Sequence, residues 1–394
     1  MPNIGEAAAG GLLLLGFVGL GRIRRHFYPL EWGEVGVLAS FAIFSVVSII
    51  SFFYWPGGRD ARMHLEDYST FMLLLPLYIL LRQFYFNFSY LIVLFVLVSF
   101  LIGVNSTVQL LVYDIGRPSG GVNPMRYAAI SLILALFPLN YLILFGFGRA
   151  WVGVVLVVAV TGGFAGSVMA MSRGTLIAVP ILLVVYCMCL YRMGRLRFRL
   201  LVFVAFAFLL FVVGLSQSHR VQQTIKSIEG YCENGYSSTP LGARFDMFKA
   251  AGILISEKPV WGHGLNTYAL KATVIRENTP NMSWEVGLWN NPHNEVLQVM
   301  VEKGFIGLFT LLLLFAVPGC LFLGALRSSD DSDSGREVKF YAISGIGLLI
   351  VYAVVGQSVA LFEHAVFNHF FALVVLLFVS QIRVIGYIRG QGEG

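Results

Sequence analysis

Charge is what this sequence has least of. Asp, Glu, Lys and Arg make up 12% of its 394 residues, where a soluble domain carries about 25%. Hydrophobic residues make up 57%. A water-soluble chain of this length has nowhere to hide so much apolar surface, because buried fraction saturates and chains split into domains beyond roughly 300 residues. An ordinary soluble globule is therefore excluded, and the apolar solvent is lipid. Cysteine is scarce as well. Cys187, Cys189 and Cys320 lie inside apolar runs and Cys232 in a polar stretch, which leaves no disulfide framework and no Cys-x-x-Cys metal site. Clustered acids are few. Asp330, Asp331 and Asp333 sit in a Ser-rich loop that reads as a solvated linker, and Glu66 and Asp67 have no further acid beside them. Paired carboxylates for Mg²⁺ are thus not offered, and no metal or cofactor is expected.

What is present is a series of apolar stretches long enough to cross about 30 Å of hydrocarbon. Eleven are read, at residues 5–21, 34–54, 69–81, 88–104, 127–146, 151–170, 175–191, 200–215, 305–326, 340–360 and 366–382, with 69–81 the shortest. Residues 5–21 do not read as a cleavable signal, since the basic cluster Arg22, Arg24, Arg25 follows rather than precedes them. Alternating sides from an outward amino terminus, one face receives fourteen Lys and Arg, including the run Arg192, Arg195, Arg197, Arg199. The short segments of the other receive five: Arg59, Arg62, Arg117, Arg126 and Arg173. The positive-inside rule makes the first face cytoplasmic. The net charge of +6 is thereby explained as membrane anchoring, and nucleic acid is not an expected partner.

One hydrophilic segment is long, residues 216–293, and the alternation places it outside. Residues 232–240 are rich in turn formers. Residues 241–256 have apolar positions at helical spacing and end at Lys258-Pro259, which predicts a helix. Gly262 and Gly264 predict a turn, residues 278–291 an irregular stretch, and Pro292 the start of another helix. In that helix Val296, Leu297, Met300 and Val301 form an apolar stripe and Glu295, Gln298 and Glu302 a polar one, predicting a surface helix that Gly304 turns inward. The predicted organisation is thus 1–215 as amino-terminal spans, 216–303 as an outer loop domain and 304–394 as carboxy-terminal spans.

Residues 293–307 read HNEVLQVMVEKGFIG: His293-Asn294, nine residues, then Gly304-x-x-Gly307. This resembles the signature of the O-antigen ligase and polymerase superfamily. Ser172-Arg173-Gly174 closes an apolar run and opens the next, Ala243-Arg244-Phe245 opens the loop helix, and Pro259-Val260-Trp261-Gly262-His263-Gly264 follows at similar spacing. The resemblance covers roughly residues 115–320. It implies an all-α polytopic membrane protein of eleven or twelve spans, with a membrane glycosyltransferase C-like fold and one periplasmic loop. It implies multi-pass residence in the bacterial inner membrane. The activity implied is metal-independent, inverting transfer of O-antigen polysaccharide from undecaprenyl diphosphate to lipid A-core. An O-antigen polymerase or a protein O-oligosaccharyltransferase using the same donor is the neighbouring alternative. A lipid-linked glycan transporter is the alternative of another class, although no internal repeat or paired broken span speaks for one.

The residue chemistry is compatible with transfer. Arg173 at the membrane boundary either faces an anion or cavity or snorkels to a lipid phosphate. Arg244 either serves the same anion or pairs with Asp246 or Glu257. Two guanidiniums can grip a diphosphate by bidentate contacts. His293, after Pro292 near a helix amino terminus, either caps that helix or, as neutral imidazole, accepts the proton of an acceptor hydroxyl. Arg117 is a possible second diphosphate or sugar contact, within a segment that otherwise reads as a connecting turn. Asn294 and Trp289 are candidate substrate contacts, with Trp261, Trp284 and Trp289 equally explained by an interfacial aromatic belt. His369, with Glu363 and His364 at the outer end of the last span, either supports the site or hydrogen-bonds neighbouring helices.

Overall fold

The computed structural model describes residues 30–54, 61–170, 172–192, 227–231 and 239–392. The expected spans at 5–21 and 200–215, the cluster Arg22, Arg24, Arg25, and Arg59, Arg195, Arg197, Arg199 and Cys232 lie outside the described residues. Among the described residues the regular structure is helical: α1 (Trp32–Tyr54), α2 (Ala61–Leu73), α3 (Leu75–Leu81), α4 (Phe88–Leu111), α5 (Pro124–Phe145), α6 (Ala150–Met169), α7 (Arg173–Arg192), α8 (Pro240–Glu257), α9 (Tyr268–Glu277), α10 (Glu295–Ser328), α11 (Asp333–Val355) and α12 (Ala365–Gly392). Eight of these, α1, α4 to α7 and α10 to α12, are long and apolar enough to cross a membrane, as the all-α polytopic reading expected.

The predicted span at 69–81 is not one helix. It divides into α2 and α3, of 13 and 7 residues, with the break at Leu74. Pro76 has no N–H to donate, and its ring opposes the carbonyl four residues back, so a continuous helix through this point is disfavoured. Elsewhere the ends follow cap chemistry. α5 begins earlier than hydrophobicity alone indicates because Asn123 Oδ1 accepts from Met125 N at 2.9 Å and Pro124 occupies the first turn.

The chain forms two compact units. The first comprises residues 1–46, 66–178 and 310–394, and the second 47–65 and 179–309. In the first unit α4, α5 and α6 pack closely, and small residues permit it. A Cβ on Gly103 would lie 2.6 Å from Gly162 Cα, and one on Gly163 would lie 2.6 Å from Ser99 Oγ. Ser99 Oγ donates to Ala159 O at 2.7 Å. Lipid supplies no hydrophobic force between helices, so close backbone approach and interhelical hydrogen bonds take that role. Asn140 Nδ2 donates to Ser344 Oγ at 2.9 Å, joining α5 to α11. A buried pair, Arg82 Nε to Glu34 Oε1 at 3.3 Å with both side chains 2% exposed, fixes the end of α3. Arg82 therefore neutralises a buried carboxylate. The acids of the 330–333 loop are likewise taken by cations: Asp330 by Arg389, Asp331 by Lys339 and Asp333 by Arg336.

In the second unit α8 and α9 enclose a small apolar core of Met247, Ala250, Ala251, Leu254, Tyr268, Ala272, Val286 and Val301. α8 appears where the spacing put it, capped by Thr239, whose hydroxyl accepts from Gly242 N at 3.2 Å. α9 was not read from the sequence, although Tyr268, Ala272 and Ile275 fall at i, i+4 and i+7 and face that core. The intervening stretch is held by Asp246, which accepts from Tyr231 Oη at 2.8 Å and from Ser283 N at 2.9 Å. Burial, then this carboxylate, push the Tyr231 phenol up to about 12, so it remains a donor.

Candidate functional site

The His293 to Gly307 segment belongs to α10 and its approach. The helix does not begin at Pro292. Asn294 is its cap: Oδ1 accepts from Leu297 N at 3.0 Å and the Asn294 carbonyl accepts from Gln298 N at 3.0 Å. His293 thus stands one residue outside the cap and not in the first turn, because Asn is the stronger capping residue and the turn before it is already fixed. That turn puts His293 at φ 54°, a left-handed conformation uncommon for a residue with a Cβ. Its N–H donates to Asn291 Oδ1 at 2.8 Å. The imidazole is half-buried, with its centroid 5.9 Å from that of the Trp289 ring. Strain of this kind persists where surrounding contacts over-determine it.

The glycines of the two motifs prove to be one construction. α10 is broken at Gly304, whose φ 61° and ψ −157° only glycine adopts readily. At the break two strands of backbone run against each other. His263 N donates to Val301 O at 2.7 Å, Gly264 N to Glu302 O at 3.0 Å, Phe305 N to Pro259 O at 2.7 Å and Ile306 N to Val260 O at 3.3 Å. The approach is so close that a Cβ on Gly262 would lie 2.5 Å from Glu302 C, and one on Gly304 would overlap Val260 C and O. Gly307 is required by the same bend, which brings Lys303 Cβ into the space its own Cβ would fill.

Beneath this crossing lies a buried polar knot that the sequence did not announce. The predicted polar stripe of Glu295, Gln298 and Glu302 does not face a membrane surface. All three are buried, Gln298 and Glu302 completely. Glu302 Oε1 is 3.1 Å from His64 Nδ1 and accepts from Gln298 Nε2 at 2.8 Å and Asn266 N at 2.9 Å. Lys303 Nζ lies 3.7 Å from Oε2 and donates to Ser48 Oγ at 3.3 Å. A buried carboxylate is tolerated only when donors and a cation surround it, and His64, distant in sequence, supplies part of that shell. His263, inside the glycine motif, is also structural. Its Nε2 lies 2.8 Å from Leu254 O and acts as donor there, and burial holds its pKa below the ordinary histidine value.

The remaining candidates are distributed as follows. In the second unit, Arg244 lies half-buried on α8, one position beyond its first turn. The carboxylate of Asp246, one of its suggested partners, is engaged by Tyr231 and Ser283. Trp289, Asn294 and His293 come together, with Asn294 Oδ1 engaged in the cap. In the first unit, the backbone of Arg173 opens α7, and its side chain is outside the described residues. Arg117 donates through Nε and Nη2 to Ala170 O at 3.3 and 3.2 Å, holding the end of α6 just before Ser172-Arg173-Gly174. His369 Nδ1 contacts Ala365 O at 2.5 Å within α12. Arg126, read from sequence only as a loop cation, donates to Ala360 O at 2.8 Å and lies 3.8 Å from Glu363.

Residues 159–312 match the family model described as O-antigen ligase. The matched stretch contains Ser172-Arg173-Gly174, Arg244, the Pro259 to Gly264 turn and the His293 to Gly307 segment. A protein of Haemophilus influenzae described as uncharacterized is 28% identical over 158 residues, which are 39% of this chain and 37% of that relative. The aligned part of the chain therefore spans little more than a third of the relative's length. The eight apolar helices fit a multi-pass membrane protein, and its residues 159–312 are similar to O-antigen ligases.

Proposed function

We propose that the chain is an O-antigen ligase that moves O-antigen polysaccharide from undecaprenyl diphosphate to a sugar hydroxyl of lipid A-core, at the periplasmic face of the inner membrane. The reading is carried by His293, a half-buried imidazole held in a strained left-handed turn by Asn291, beside Trp289, within the O-antigen ligase match. In this scheme residues 216–303 form the periplasmic domain. His293 takes the proton of the attacking hydroxyl as the new glycosidic C–O bond forms. The anomeric C–O bond to the diphosphate breaks, and the leaving group keeps the electron pair. Arg173 and Arg244 neutralise the charge that accumulates there, which is the larger electrostatic requirement because diphosphate needs little protonation. Attack from the opposite side inverts the anomeric centre. Trp289 offers a face on which the acceptor sugar stacks.

The test is transfer by purified protein supplied with lipid-linked O-antigen and rough lipopolysaccharide in EDTA. The expected product is lipopolysaccharide of higher mass that disappears in His293→Ala, a loss of the 10²–10⁴-fold order typical of a general base. Glycan growth without the lipopolysaccharide acceptor would make the protein a polymerase. Absence of both products with a folded protein would refute transfer and favour a carrier.

A further inference from the structure

The turn at residues 259–264 carries large apolar side chains into the open: Val260 is 52% and Trp261 49% exposed. Much of its backbone is nonetheless hydrogen-bonded. Pro259 has no N–H, the Lys258, Pro259 and Val260 carbonyls accept from Gly262, Phe305 and Ile306, and the N–H groups of His263 and Gly264 reach Val301 and Glu302. The segment it pairs with is the start of the apolar run of α10. There Phe305 is 53% and Phe309, one turn on, 62% exposed. Four large apolar side chains are therefore exposed on two segments whose backbones pair, and two of them stand on a helix long and apolar enough to cross a membrane.

We infer that Val260 and Trp261 form an interfacial anchor seated in the phospholipid leaflet beside Phe305 and Phe309. A turn enters the edge of the hydrocarbon more readily the more of its carbonyl and N–H groups are already paired, as the Lys258, Pro259 and Val260 carbonyls and the Gly262, His263 and Gly264 N–H groups are here. Tryptophan is favoured at headgroup level, where the ring is buried and the indole N–H stays hydrated. Lys258 and Glu257, just before the turn, suit the polar side of the same boundary. The consequence is that the height of the α10 amino-terminal segment over the bilayer is set by lipid contact at its broken end. The inference rests on the fold and holds whichever reaction the protein performs. It also separates two tryptophans that the sequence left alike: Trp289 sits against His293, whereas Trp261 faces lipid.

The experiment compares tryptophan emission of wild type and Trp261→Phe in vesicles of phosphatidylethanolamine and phosphatidylglycerol, with and without lipids brominated near the headgroup. The component deleted by Trp261→Phe is expected to be quenched mostly by the brominated lipid and to be shielded from aqueous iodide. A component quenched by iodide and unaffected by brominated lipid would overturn the anchor, as would one shielded only when lipid-linked glycan is added, since Trp261 would then be a sugar platform. Trp261→Tyr gives the same difference spectrum should the Phe variant fail to insert.

Discussion

Replacing Gly304 by Ala tests the central construction. The backbone at φ 61°, ψ −157° lies in a region nearly restricted to glycine, so any Cβ costs about 1–3 kcal/mol before a contact is counted. The Cβ would also overlap Val260 C and O and come within 2.6 Å of Pro259 O. Relief requires the two segments to separate, which breaks the hydrogen bonds from Phe305 N and Ile306 N at about 1 kcal/mol each. The total is roughly 3–5 kcal/mol, a large part of the 5–15 kcal/mol typical of a folded protein. Gly252→Ala is the control. It lies on α8 with open space around its Cβ position, and Ala there should stabilise by about 0.5–1 kcal/mol. Thermal unfolding in nanodiscs should show a marked loss for Gly304→Ala and none for Gly252→Ala, with glycan transfer falling in the first alone. If both variants unfold at the wild-type temperature, the backbone crossing described above is wrong.

Three further outcomes are expected. Asn294→Ala should cost about 1 kcal/mol through the lost cap while Asn294→Asp retains stability, read by chemical denaturation; an Asp variant as unstable as Ala would contradict the capping role. Glu302→Ala leaves His64 and Lys303 facing an empty buried site and should destabilise by about 3–5 kcal/mol; normal stability would mean that the knot is hydrated. His263, whose pKa is depressed first by burial and then by Lys271 and Lys258 against the opposing Glu257, takes up its proton more readily when unfolded. Its contribution is complete above about pH 6.5 and is lost as pH falls below that value, by at most about 1.4 kcal/mol per pH unit. His263→Gln should flatten that part of the stability curve, and an unchanged acid limb would show that the ring is hydrated.

The spans were legible because lipid imposes a one-dimensional rule, apolar length, which α4 to α7 and α10 to α12 obey. Where that rule failed, a different force acted. At 69–81 the apolar content is sufficient, but Pro76 interrupts the hydrogen-bond ladder. At Glu295, Gln298 and Glu302 a helical polar stripe normally means solvent, yet here donors from elsewhere in the chain, His64 and the Asn266 N–H, make burial tolerable. Such long-range compensation leaves no local pattern. α9 escaped notice because it is short and its apolar face is narrow, although Tyr268, Ala272 and Ile275 carried the signal.

The motif that drew attention to the site mixes chemistry with architecture. On the proposed reading the half-buried ring of His293 and the exposed ring of Trp289 are the part that meets substrate. Asn294, Gly262, Gly304, Gly307 and His263 act on the chain itself, through a cap, a crossing, a clearance and a carbonyl contact. On the proposed reading, replacing a residue of the second kind would abolish transfer by loosening the turn that strains His293, so loss of transfer alone would not assign it to the reaction. The decisive contrast is between His293→Gln and Gly304→Ala: both should be inactive, but only the first should unfold like wild type. That difference in stability, more than the shared loss of activity, distinguishes a group that handles protons from one that positions it.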